Sequence, residues 1–203
     1  RLPLFILLLG VCLAPINLTI ITVGLTRLQR IYDTQLSTTM WIIIAYVIAL
    51  VVTKFVGTKI GALYGYKHVL LASLLLTCIA SIVCMMSTTF RMLLIGRFLQ
   101  AIGTTLVTLN SIALLPKVNV KNSVSLLAAA IAPLIGVILI NIWDVKALFW
   151  LNIPIVMILF AGAWVLPSVP RQKTTLDLLS AGYVAIMLTA VACIFTAKTA
   201  HPF

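Results

Sequence analysis

The stretch that decides the fold is residues 92–115, Met-Leu-Leu-Ile-Gly-Arg-Phe-Leu-Gln-Ala-Ile-Gly-Thr-Thr-Leu-Val-Thr-Leu-Asn-Ser-Ile-Ala-Leu-Leu. A mostly apolar run of this length is what an α-helix needs to cross about 30 Å of hydrocarbon. In lipid, backbone polar groups must be paired within the structure, which excludes irregular segments. The run is also too long and too uniformly apolar for a barrel strand of about 10 alternating residues. Residues 92–115 therefore predict a transmembrane helix.

Six further apolar segments of comparable length lie along the chain and are joined by short connections. Each is long enough to cross a bilayer as a helix, so the predicted fold class is all-α, a polytopic membrane helix bundle. The predicted spans are residues 2–25, 40–58, 69–87, 92–115, 123–142, 148–167 and 177–197.

One polar stretch divides these spans into two groups. It follows Pro167 and contains Val-Pro-Arg-Gln-Lys. We therefore predict a six-span bundle over residues 1–167, a cytoplasmic linker over 168–176, and a seventh span with an end segment over 177–203. Because the chain starts with Arg1 rather than Met and stops soon after a seventh span, we expect it to be part of a longer polypeptide or a truncated product.

The composition places the chain in the lipid bilayer. It is 63% hydrophobic and 8% charged, whereas soluble domains carry about 25% charged residues. A net charge of +11 would suggest nucleic acid as the partner of a soluble protein. Here the basic residues stand singly at span ends, as membrane anchors and topology signals do, and no nucleic-acid partner is expected.

The distribution of Lys and Arg predicts a multi-pass protein of the cell inner (plasma) membrane with a cytoplasmic N-terminus, because basic residues concentrate on the cytoplasmic side. The inner side would then carry Arg1, Lys54, Lys59, Lys67, Lys117, Lys121, Arg171 and Lys173. The outer side would carry Arg27, Arg30, Arg91, Lys146 and Lys198.

No carboxylate lies well inside any predicted span. The chain has no Glu, and Asp33, Asp144 and Asp177 fall between spans or at a span start. A proton-driven carrier normally keeps a carboxylate in its core, where it can bind and release the proton. The architecture therefore indicates a transporter, while the titratable residues indicate that proton coupling is altered, lost or located elsewhere.

A polar stripe runs along the span at 92–115. A charge inside a span is costly, so Arg97 should face the bundle interior or a water-filled cavity. Gln100, Thr104, Thr108 and Ser111 follow it at helical spacing on one face, which predicts a cavity lining. The alternative is that Arg97 extends to the membrane edge and the hydroxyls bond their own backbone.

The first span carries Asn17, Thr19, Thr22 and Thr26. The three threonines share a face, and Asn17 lies off it. An Asn inside a span hydrogen-bonds another helix or a substrate, and either role is open for Asn17.

Small residues mark the fifth span. Ala129, Ala132, Pro133 and Gly136 recur at helical spacing, which allows close helix packing. Pro133 should also bend the helix.

A tight turn is predicted between the second and third spans, in Thr-Lys-Ile-Gly-Ala-Leu-Tyr-Gly-Tyr-Lys-His at residues 58–68. Gly61 and Gly65 provide the backbone freedom that a turn needs. Lys59 and Lys67 should hold it at the inner surface.

Enzymatic chemistry is not expected. The sequence contains no carboxylate pair, metal-ligand cluster, phosphate-binding loop or plausible Ser-His-Asp set at membrane depth. The four cysteines lie in apolar stretches and are interpreted as packing residues. No metal and no cofactor are predicted.

Four short segments fall in order on the predicted spans: Trp41-Ile-Ile-Ile-Ala45-Tyr46, Arg97-Phe-Leu-Gln100-Ala-Ile-Gly103, Ala132-Pro133-Leu-Ile-Gly136-Val137 and Phe149-Trp-Leu-Asn152-Ile-Pro154. They resemble motifs of the major facilitator superfamily, and within it of the fourteen-span drug:proton antiporters. The second is similar to the family's Arg-x-x-Gln-Gly-x-Gly, with Ala101 in place of a Gly. The third looks like a worn Gly-Pro-x-x-Gly-Gly, and the fourth resembles Phe-x-x-Asn-x-Pro.

Two departures from the family pattern concern charge. Where the family usually has an acid in the first helix, this chain has Asn17, which cannot titrate. Where the loop after helix two usually has an Asp-Arg pair, this chain has Ala62 and Leu63, and only Gly65 and Lys67 keep the pattern. The resemblance therefore implies degraded proton-coupling and inner-gate motifs.

The resemblance implies small-molecule efflux by alternating access, in which one helix bundle rocks against another around a midplane cavity. This chain offers one wall of that cavity, so a missing C-terminal half or a partner subunit is expected. Arg97 without an internal carboxylate implies an anionic substrate or a counter-ion from that partner. The implied pathway residues are Asn17, Thr22, Arg97, Gln100 and Thr104, with Pro133 and Gly136 for bending.

Two alternatives remain open at this point. A non-transporting protein, either a decayed carrier or a half that needs a partner, is favoured by Asn17 and by the missing gate charges. A passive pore formed by oligomerisation is the other.

Overall fold

The computed structural model describes residues 2–115, 145–164, 166, 186 and 189–190, without some side chains of the first and last helices. Every regular element in this part of the chain is helical, which confirms the all-α prediction. The helices are α1 (Leu2–Ile31), α2 (Leu36–Tyr64), α3 (Tyr66–Met85), α4 (Phe90–Leu114) and α5 (Val145–Ala163).

Helices α2, α3 and α4 are long and apolar enough to cross a membrane. Among the described residues of α1 and α5, Leu4–Ala14 and Asn152–Ala163 form further apolar stretches. The predicted fifth span, residues 123–142, lies outside the described residues, so helix α5 corresponds to the predicted sixth span. The linker at 168–176 and most of the seventh span also lie outside them, and the domain division stays a prediction.

The helices α1 and α2 extend beyond their predicted spans, most clearly α2. This helix runs from Leu36 to Tyr64 rather than over 40–58. At 1.5 Å per residue its 29 residues are longer than the roughly 30 Å hydrocarbon core. Its ends therefore lie outside the apolar layer, where polar residues do not interrupt a helix. For this reason hydropathy underestimates helix length.

The connection between α2 and α3 is a single residue, Gly65, with φ 93°. This left-handed backbone conformation favours glycine because a Cβ would be strained there. Gly61, predicted to share the turn, instead lies buried in the last turns of α2. The prediction of a glycine turn is thus confirmed for Gly65 and wrong for Gly61.

The apolar core lies between α1, α3, α4 and α5. Its central members include Leu7, Leu13, Leu74, Val107 and Leu159, each at most 3% exposed. A second cluster toward the other end of the bundle joins all five helices; it contains Leu28, Ile42, Cys84, Leu93 and Phe149.

Helices α3 and α4 approach closely because glycine occupies their contact. A Cβ built on Gly103 would lie 3.0 Å from the Thr77 backbone nitrogen and 3.2 Å from the Ser73 carbonyl oxygen. Gly96, two turns earlier on α4, faces Cys84 in the same way. Small residues at an interface let helix backbones meet in this manner.

Candidate functional site

Arg97 lies inside the bundle and is fully buried. Its Nη1 donates to Gln100 Oε1 at 2.9 Å, and its guanidinium carbon stands 4.1 Å from the centroid of the Phe149 ring on α5. A cation over an aromatic face is attracted by the ring quadrupole. The two contacts fix the guanidinium between α4 and α5.

The charge of Arg97 is balanced by no carboxylate in the described part of the chain, where Asp33 is the only acidic residue. Arg97 Nε and Nη2 are buried without a hydrogen-bond partner among the described residues. An unpaired buried charge is costly, and inside membrane proteins such groups mark functional sites.

Gln100 extends the polar contacts of Arg97 to α3. Its Nε2 donates to Ser81 Oγ at 2.9 Å, and Ser81 Oγ donates to the Thr77 carbonyl at 2.8 Å. Gln100 and Ser81 are both fully buried. The Gln100 amide is thereby oriented with its carbonyl oxygen toward Arg97.

Tyr46 of α2 meets Thr104 one turn further along α4. Their hydroxyl oxygens lie 3.0 Å apart, and the single Tyr46 hydroxyl proton has the Ala14 carbonyl of α1, at 3.4 Å, as its alternative acceptor. The Thr104 hydroxyl donates to the Gln100 carbonyl at 2.8 Å. The polar stripe on α4 is therefore packed against α1, α2 and α3.

Asn17 of α1 pairs with Asn152 of α5 through both amide groups. Asn17 Nδ2 donates to Asn152 Oδ1 at 3.0 Å, and Asn152 Nδ2 donates to Asn17 Oδ1 at 2.7 Å. Asn17 Nδ2 also donates to the Leu13 carbonyl at 2.9 Å. Both side chains are buried, so each amide is committed to a helix contact.

We expect the asparagine pair to be energetically coupled. Replacing either residue by Ala leaves the partner's buried amide incompletely bonded and should lower the free energy of unfolding by about 1–3 kcal/mol. A cycle with the Asn17→Ala/Asn152→Ala double variant should show a coupling of about 0.6–1.7 kcal/mol, the average and maximum for such pairs in a membrane protein. The free energy of unfolding in detergent is measured for the original protein, the two single variants and the double variant. Additive effects of the two substitutions would contradict the pairing.

A cavity of about 550 Å³ lies between α1, α2 and α4. Of the polar stripe that was predicted to line a cavity, Thr108 lines this one, while Arg97, Gln100 and Thr104 are buried inside the bundle. The neighbouring face of α4 supplies the wall instead. The lining residues are Ala14, Leu18, Leu50, Lys54, Thr105, Thr108, Leu109 and Ile112.

Lys67 connects the α2–α3 turn to the end of α5. Its Nζ donates to the carbonyl oxygens of Trp164 and Leu166, both at 2.8 Å. A cation at a helix C-terminus also interacts favourably with the helix dipole. Lys67, predicted together with Lys59 to hold the turn at the inner surface, thus makes a contact within this bundle.

Three predicted site residues cannot be placed. The Thr22 side chain, Pro133 and Gly136 lie outside the described residues. Tyr46, Phe149 and Asn152 were missed as site residues. Their only signal was their position in the motif-like segments at 41–46 and 149–154.

No group of three metal-ligating side chains comes together among the described residues.

The chain matches the family model described as Major Facilitator Superfamily over residues 7–196. It is 34% identical to an uncharacterized MFS-type transporter, YvkA, of Bacillus subtilis, over 97% of this chain and 47% of that protein. It is 23% identical to the Methylenomycin A resistance protein of Bacillus subtilis, over 87% of this chain and 40% of that protein. The Drug efflux pump JefA of Mycobacterium tuberculosis is 22% identical, over 72% of this chain and 31% of the pump.

The same relation holds in three dimensions. A crystal structure of the peptide transporter POT shares the fold with a TM-score of 0.66 at 12% identity, over 97% of this chain and 45% of that one. The chain thus spans about half the length, or less, of these proteins.

Proposed function

This chain belongs to the major facilitator superfamily, and on that premise we propose that it is the N-terminal half of a small-molecule efflux transporter of a bacterial inner membrane. The observation that carries the proposal is Arg97, a fully buried cation with two nitrogens that have no partner among the described residues. Ionisable groups held inside a membrane bundle serve ion or substrate pathways.

Export of toxic small molecules is supported by two relatives whose names state resistance to methylenomycin A and drug efflux. The matching family and the transporter names of its relatives support a carrier rather than an enzyme. The partner is a C-terminal half or a second subunit, and the N-terminus is cytoplasmic.

Alternating access assigns a role to each described polar contact. Arg97 and Gln100 form a charged group that a substrate anion or a carboxylate of the other half pairs with as the two bundles rock. Thr104 and Tyr46 hold the next turn of α4. Pro133, Gly136 and the Thr22 side chain lie outside the described residues; we expect the first two to bend the fifth span and Thr22 to contribute to the pathway.

A second function has one observation in its favour. Asn17 stands where the family has an acidic residue and is hydrogen-bonded to Asn152. Its amide cannot bind and release a proton as a carboxylate does. A partner-dependent or non-transporting half would need no proton site.

The experiment starts with the mass of the native polypeptide in its own membrane. A species near twice the 22.1 kDa of this chain should then confer drug export on a bacterium that lacks its own efflux pumps, measured as reduced accumulation of a fluorescent drug. A 22.1 kDa species with no effect on accumulation would reject the transporter and favour the non-transporting protein.

A further inference from the structure

Among the described residues, Lys54 is the only charged one in the lining of the cavity between α1, α2 and α4. It was predicted to lie near the end of the second span, but α2 continues for ten residues beyond it, to Tyr64. Lys54 is therefore about 15 Å, measured along the helix axis, from the end of α2. Its side chain is exposed rather than packed away in the bundle.

The rest of the lining is apolar except for two hydroxyls. Thr108 Oγ1 donates to the Gly10 carbonyl at 3.2 Å. Thr105 is 1% exposed, and its hydroxyl oxygen has no hydrogen-bond partner among the described residues. Ligand pockets typically enclose about 300–1,000 Å³ and combine apolar walls with a few polar groups. The volume of about 550 Å³ falls within that range.

The charge of the lining selects the sign of the ligand. An ammonium group beside apolar walls repels a cation and attracts an anion more strongly than it would in water. The described part of the lining contains no carboxylate that could hold an organic cation.

We propose that this cavity binds an amphipathic organic anion. Lys54 pairs with the acid group of the anion, the apolar walls cover its hydrocarbon body, and Thr105 donates a hydrogen bond to the anion. The inference rests on the proposed function, since it names the substrate class of that transporter. It assigns anion binding to Lys54, at a place separate from Arg97.

Binding of 2-naphthoate to the native protein tests the proposal. The protein is held in phosphatidylcholine nanodiscs at pH 7, and bound ligand is measured by equilibrium dialysis. The naphthyl group matches the apolar walls, and its carboxylate supplies the negative charge. The comparison ligand is 2-naphthylmethylamine, which has the same ring and the opposite charge.

Lys54→Met should weaken 2-naphthoate binding at least about tenfold, because a charged hydrogen bond is lost. Lys54→Arg keeps the charge and should bind within about threefold of the original protein. Thr105→Val, of nearly the same shape, should weaken binding by about threefold or more. Lys59→Met is the matched control: it removes the same charge from the same helix outside the lining and should leave binding within about twofold.

Three results would overturn the proposal: no binding of 2-naphthoate, equal binding of 2-naphthylmethylamine, or no effect of Lys54→Met. Phosphatidylglycerol in the nanodiscs is the remaining arm. If it displaces 2-naphthoate completely, the site takes a lipid headgroup and the small acid is rejected. Drug export without 2-naphthoate binding would reject this inference alone. Binding without export would reject the proposed function alone.

Discussion

Replacing Arg97 by methionine is expected to lower solute export at least about tenfold while leaving the melting temperature of the protein unchanged or higher. The guanidinium is fully buried, and no carboxylate of the described part balances it. Removing an unpaired buried charge relieves a desolvation penalty, which offsets the loss of the contacts to Gln100 and Phe149. Export and stability should therefore change in opposite directions or independently.

The measurements are drug accumulation in cells and thermal unfolding of the purified native protein in detergent. Arg97→Lys serves as the control, because it keeps the charge but lacks the planar fork; its export should fall between that of the original protein and that of Arg97→Met. Unaltered export by Arg97→Ala would remove Arg97 from the transport pathway. A lower melting temperature with full export would make Arg97 a structural residue.

Gly103→Ala is expected to lower the free energy of unfolding by about 1–3 kcal/mol. A methyl group at this position meets the α3 backbone at Thr77 and Ser73, which cannot rotate away as a side chain can. The two helices must separate, and the contacts of Gln100 with Ser81 between them should weaken as well. In an exposed helix the same change would stabilise by about 1 kcal/mol.

Gly57→Ala is the matched control for Gly103→Ala. Gly57 lies inside α2, and its added Cβ would meet only the ends of the Leu106 and Leu109 side chains, at 2.9 and 2.8 Å. These chain ends can shift, so stability should change by less than about 1 kcal/mol. Equal losses for the two variants, measured by thermal unfolding in detergent, would show that the backbone contact at Gly103 is unimportant.

Hydropathy predicted the helices because the length of an apolar run depends on one chain segment at a time. It gave every described helix its approximate place but ended α2 too early, since polar residues such as Lys59 continue a helix outside the apolar layer. Gly65 was predictable from glycine's backbone freedom. Gly61 was misplaced because a glycine in a helix contact and a glycine in a turn look alike in sequence.

The candidate site was predictable only in part. The spacing of Arg97, Gln100 and Thr104 placed them on one face. What covers that face depends on Tyr46, Ser81 and Phe149, which come from other helices. The pairing of Asn17 with Asn152 joins residues 135 positions apart. No pattern in a single sequence indicates that two such distant residues are in contact. The position of Lys54, ten residues before the end of α2, became clear only from the structure because the predicted span ended too early.

The one-residue connection at Gly65 has a consequence for biosynthesis. Because only Gly65 separates α2 from α3, one helix has no room to cross the membrane while the other remains in water. We expect them to enter the bilayer as one hairpin; with the proposed cytoplasmic N-terminus, the Gly65 turn and Lys67 remain on the side where synthesis occurs. The carbonyl partners of Lys67 belong to the end of α5, which is synthesised about 100 residues after Lys67. We therefore expect this contact to form only after the first four helices have been synthesised.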